Sequence, residues 1–113
     1  MHPVVQNIID AVGEHLGGYE PENGLEWADF MASLPDLSTE VGDHLNTIGE
    51  RLGDDYPDDP QVTEAWNSYA QKVRSSADEA EEAHQAFERA HEDELRRLRE
   101  PRQNEEVWDV SKT

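Results

Sequence analysis

DPQVTEAWNSYAQKVRSSADEAEEAHQAFERAHEDELRRLR, residues 59–99, is the stretch whose reading decides the fold. It contains no Gly, and its one proline, Pro60, stands at the start, where a first helical turn has no internal use for the missing N–H. Asp59 supplies the side-chain acceptor that caps such a turn. Val62, Trp66, Tyr69, Val73, Ser76, Ala80, Ala83, Phe87 and Ala90 recur at alternating steps of four and three, the period of a helix seam rather than of a strand. The spacing predicts one long helix from Pro60 to Arg99, stopped before Pro101 and about 60 Å long. Alanines along the middle of the seam allow a second helix to approach closely.

Upstream, Pro3 opens a helix with the stripe Val4, Val5, Ile8, Ile9, Val12 and Leu16, which Gly17-Gly18 ends. Asn23, with Glu26 three residues on, has the form of a capping box for a second helix carrying Leu25, Trp27, Phe30, Met31 and Leu34. Pro35 is expected to break or sharply kink it. Leu37, Val41, Leu45, Ile48 and Leu52 then form another seam, with Gly53 as the natural stop. The fold expected is all-α: three to four helices in a small bundle or helical hairpin with one long C-terminal helix. Residues 1–100 make the helical domain and 101–113 a tail, a candidate docking segment.

The charge balance restricts function. Asp and Glu number 27 against 9 Lys and Arg, a formal charge of −18. Binding nucleic acid or an anionic membrane surface needs basic side chains, so neither is expected as a direct partner. A protein partner is expected, a basic one being the best match to this surface; solubility alone also accounts for the charge. Apolar residues make up 35% of the chain, a lean supply that suits narrow helix stripes or a core completed by another molecule. There is no Cys, so neither disulfides nor thiolate metal sites enter. The N-terminal segment lacks a basic leader and its apolar run is interrupted, so a cytoplasmic protein is the expectation.

Glu81-x-x-His84 and Glu88-x-x-His91 fall on one helical face, the i, i+3 spacing that di-iron helical bundles use. There the two motifs lie on different helices, whereas here they share one Glu-rich helix, which reads as a solvated charged face. Metal ligation by Glu81, His84, Glu88 and His91 is the minor reading, and no cofactor is expected. His15 and His44 sit near apolar stripes as structural residues. The cluster Asp54, Asp55, Asp58 and Asp59 lacks EF-hand spacing and reads as turn and cap residues. No phosphate loop or nucleophile elbow appears, so no enzyme is expected. In the tail, Val107, Trp108 and Val110 stand as apolar anchors in polar surroundings, suited to partner binding or to folding back on the chain.

AEEAHQAFERAHEDELRRL (residues 80–98) and NEEVWDVS (residues 104–111), with 7 of the 9 basic residues Arg, resemble small acidic proteins carried by actinobacterial chromosomes and mobile elements. In size and helical layout the chain is also similar to the Trp-x-Gly substrates of type VII secretion, a likeness that implies a secreted, dimerising hairpin. Its candidate motif Trp66-Asn67-Ser68 has Ser for Gly, and no acidic residue stands four after Tyr19, Tyr56 or Tyr69.

Taken together, the expected function is a small acidic interaction or adaptor protein. The alternatives are a DNA mimic, a helix-borne metal protein and a type VII-like hairpin. A homodimer is expected through the seam residues Trp66, Tyr69, Val73, Ala80 and Phe87, because the segments preceding the long helix are too short to cover it.

Overall fold

A computed structural model of the chain describes residues 1–57 and 59–100. Those residues form four α-helices and no strand: α1 (Pro3–His15), α2 (Gly24–Asp55), α3 (Pro60–Ala90) and α4 (Glu92–Arg99). α2 and α3 form a long antiparallel hairpin, and α4 folds against its open end. The molecule measures 72 × 27 × 19 Å. No helix among the described residues is long and apolar enough to cross a membrane.

The caps follow the sequence closely. Asn23 Oδ1 accepts from the Glu26 N–H at 2.9 Å, while Glu26 returns to the Glu22 N–H at 3.2 Å rather than to Asn23. Asp59 accepts from the Gln61 N–H at 2.8 Å, with Pro60 in the first turn of α3. His2 Nδ1 accepts from the Val4 N–H at the head of α1.

Three boundaries differ from expectation. Pro35 does not break its helix: α2 runs unbroken for 32 residues through it. An interior proline withholds one hydrogen bond, here from the Met31 carbonyl, and costs about 3 kcal/mol. The helix persists because Met31 and Leu34 before it and Ser38 and Thr39 after it are all half-buried, so packing holds both sides in line. Gly53 does not stop α2 either; the helix ends two residues later. The expected long C-terminal helix is divided at His91, whose φ of −119° and ψ of 26° end α3 and begin α4. No Gly or Pro marks that corner. It turns Leu95 inward, and at 1% exposure Leu95 is the largest fully buried side chain among the described residues.

With α2 unbroken, the two arms of the hairpin match, each about 47 Å long. The long helix is thus covered along its length by α2, and the argument for dimerisation from an uncovered half does not hold.

The contact between the arms is made by small residues. A Cβ on Gly42 would meet the Arg74 backbone at 2.8 Å, and Ala70 is wholly buried. Arg74 Nε donates to Asp43 Oδ1 at 2.9 Å beside this contact. At Gly49 an added Cβ would strike the Trp66 indole, which lies across the glycine. Trp66 Nε1–H also donates to the Leu45 carbonyl at 2.8 Å. Glycine is required at position 42 by backbone approach.

Gly42→Ala is expected to destabilise the hairpin by about 1–3 kcal/mol, because an overpacked contact between backbones outweighs the gain in helix propensity. Gly53→Ala, where an added Cβ meets nothing within 4 Å, is expected to stabilise it by about 0.5–1 kcal/mol. Urea unfolding of both variants checks the opposite signs.

Candidate interaction surface

At about 100° per residue, Leu37, Val41, Ile48 and Leu52 share one stripe of α2 that lies roughly 110° around the helix from Gly42. On α3, Val62, Trp66 and Tyr69 are likewise offset from the contact at Ala70. Because the arms are antiparallel, both offsets fall on the same side of the hairpin. The result is an open apolar face near the closed tip: Leu37, Val41, Ile48, Leu52, Val62 and Tyr69 are all exposed, Tyr69 by 54%, and Trp66 by 36%. Trp66 and Tyr69 pack edge to face with ring centroids 6.1 Å apart. A depression of about 350 Å³ opens beside them, with Gly49, Leu52, Val62 and Trp66 in its walls.

α1 is the second exposed apolar surface. No Cα of α1 comes within 8 Å of another helix, and Val4, Val5, Ile8, Ile9, Val12 and Leu16 all face solvent, Ile8 by 58%. Its connection is anchored by Tyr19, whose ring stacks 4.4 Å from Phe30. The Tyr19 hydroxyl donates to Glu26 Oε1 at 3.3 Å. Loss of water and the neighbouring Glu26 carboxylate hold this phenol above its usual pKa, so it remains a hydrogen-bond donor.

Of the seam residues expected to mediate self-association, the structure brings Trp66 and Tyr69 onto the open face, whereas Val73, Ala80 and Phe87 are half-buried. The inner line of α3 runs through Ala70, Val73, Ala77, Ala80, His84 and Phe87. In its middle it keeps the small side chains of the expected seam but is turned slightly about the helix axis.

Of the four Glu and His residues singled out on α3, three lie together and the fourth, His91, turns away. His84 lies between Glu81 (3.6 Å) and Glu88 (3.3 Å). Glu88 is held by Arg99 of α4 through two hydrogen bonds of 2.8 and 2.6 Å. His91 is at the helix corner, its ring tilted against Phe87 with centroids 4.4 Å apart and turned to Glu94 at 3.4 Å. Among the described residues no group of three or more His, Cys, Asp or Glu is arranged to hold a metal ion. The Glu88–Arg99 pair lies at the hairpin's open end, where Ala28 of α2 and Leu95 of α4 are buried. Val107, Trp108 and Val110 lie outside the described residues, as does Asp58.

Sequence reasoning missed the isolation of α1, the corner at His91 and the anchor at Tyr19. The pair Leu95 and Leu98, otherwise surrounded by charge, was the available signal for a docked α4. The seven-residue repeat Gly42–Gly49 was the signal for close helix approach. Comparisons with protein-family models, curated proteins and solved structures find no match.

The Arg99 guanidinium, through its hydrogen bonds, holds the Glu88 carboxyl below the usual carboxylate range. A depressed folded-state value stabilises the fold above the unfolded pKa, and that contribution is lost as pH falls through the folded one. The Glu88 side-chain carbon signal is therefore expected to titrate below the ordinary midpoint of about 4.3. In Arg99→Ala that midpoint is expected to move upward, which carbon-detected NMR measures directly.

Proposed function

We propose that the chain is a non-catalytic interaction protein whose acidic hairpin presents an apolar face to a helical segment of another protein. One observation carries this reading. The wholly buried apolar side chains among the described residues are Ala28, Ala70 and Leu95, while the large side chains of α1 and of the hairpin's tip half stay exposed. Contiguous exposed apolar surface of this kind is characteristic of sites that another molecule covers. A two-helix face with an aromatic pair at its edge suits an amphipathic helix laid along it.

The acidic surroundings select the partner. With a charge of −18, a partner carrying basic residues beside its apolar stripe is attracted, and acidic proteins are repelled. The apolar face supplies affinity, and the charge supplies association rate and discrimination.

Affinity capture from the cells that make the protein, followed by binding measurements on the captured partner, tests the reading. Leu52→Asp and Tyr69→Ala alter exposed positions, so each is expected to leave folding within about 0.5 kcal/mol of the parent. Each is expected to weaken partner binding about tenfold or more. Binding that survives both substitutions but disappears with moderate salt would instead assign recognition to the carboxylates, as in a DNA mimic.

A further inference from the structure

We infer that the face takes α1 of a second copy of this chain, the two molecules exchanging their N-terminal helices reciprocally. The inference rests on the apolar face of the reading above and goes beyond it, by giving that face an occupant from the chain itself. Each molecule carries both halves of the contact uncovered: an amphipathic helix touching nothing, and a two-helix apolar face. The halves match in length. The stripe from Val4 to Leu16 runs about 18 Å and the α2 edge of the face, Leu37 to Leu52, about 22 Å.

Charge favours the same occupant. Of the chain's 27 acidic residues, α1 holds only Asp10 and Glu14, both on the side opposite its stripe. It is therefore the segment that approaches another acidic copy with least repulsion. It also lacks Lys and Arg, so it has none of the basic flank that draws interfacial helices to anionic membranes.

The connection directs α1 outward. Tyr19 is fixed against Phe30 and Glu26, which leaves Leu16, Gly17 and Gly18 to set the course of α1. Leu16 keeps helical geometry, and neither glycine has positive φ. α1 accordingly projects past the end of the hairpin, and the molecule's 72 Å axis exceeds the length of α2, about 48 Å. Folding back on its own hairpin requires a full reversal within three residues; docking on a second, antiparallel copy leaves the connection as it stands. A single docked helix of 13 residues is small against the roughly 1,200–2,000 Å² of stable interfaces. Reciprocal exchange doubles the burial for one association step and closes with two-fold symmetry.

The absence of native Cys makes the test direct. Ile8→Cys and Val41→Cys chains are prepared separately, mixed and oxidised at micromolar concentration. The expected product is the mixed disulfide dimer, in excess of either symmetric one. Sedimentation equilibrium of the cysteine-free chain is expected to give a dimer, and Ile8→Asp is expected to weaken it more than tenfold without changing the thermal unfolding of the hairpin. A parent chain that remains at 12.9 kDa near 100 µM overturns the exchange, as does predominance of a symmetric disulfide. A double-cysteine chain that closes within a monomer also overturns it and assigns α1 to its own hairpin. If a monomeric chain still binds another protein through Leu52 and Tyr69, the exchange fails while the interaction reading stands.

Discussion

The backbone of α2 at Gly42 lies against the backbone of α3 at Arg74, closer than any side chain between them would permit. This approach determines much of the remaining architecture. Helices that meet through Gly and Ala have no room at the contact for large side chains, so Leu37, Val41, Ile48, Val62 and Tyr69 are displaced to one side. The apolar face is thus a geometric consequence of close packing. A hairpin separated by leucines would enclose those side chains and expose less. Gly49 repeats the arrangement one heptad on, where the Trp66 indole fills the space that a side chain would occupy. Its hydrogen bond to the Leu45 carbonyl fixes the ring at the edge of the face.

The opposite end is closed by different means. Leu95 provides the apolar burial, and the Glu88–Arg99 pair fixes the angle at which α4 returns. A bidentate pair is more specific in geometry than a lone lysine contact, although a partly exposed pair contributes modestly to stability. α4 also carries Glu92, Asp93 and Glu94 in its first turn and Arg96, Arg97 and Arg99 in its last, matching its dipole at both ends. A helix of 8 residues is too short to persist alone. It needs both the buried leucine and the ion pair, which gives Glu88 an architectural role.

Most of the fold was legible because it was written in local rules. Asn23, Asp59 and Pro60 mark helix starts through hydrogen-bond requirements that depend on a few neighbouring residues. The all-α class followed from the period of the apolar residues. What failed were the features that tertiary contacts decide. Pro35 carries a local cost that packing on both of its sides offsets, and the corner at His91 has no local breaker. The candidate surface was half legible: Trp66 and Tyr69 were identified as contact residues, but as parts of one seam continuing through Val73, Ala80 and Phe87, which are half-buried. Placing them on an open face required knowing that Gly42, rather than a leucine, occupies the contact. The isolation of α1 had no local signal, because its stripe is as regular as that of a packed helix.

Exposed apolar surface and a charge of −18 belong to one physical arrangement. Apolar faces attract one another without regard to direction, and a neutral chain with this much exposed surface would associate indiscriminately. Like charge distributed over the hairpins opposes every contact that is not closely complementary. Only an apolar surface that fits, and that brings little negative charge with it, overcomes the repulsion. α1 satisfies both conditions within the chain itself, since its two carboxylates lie away from its stripe. A basic helix from another protein satisfies them more strongly, because attraction then replaces repulsion. Under the two proposals above, such a partner competes with α1 for the same face, and the concentration of the chain and the abundance of the partner together set which occupant is found there.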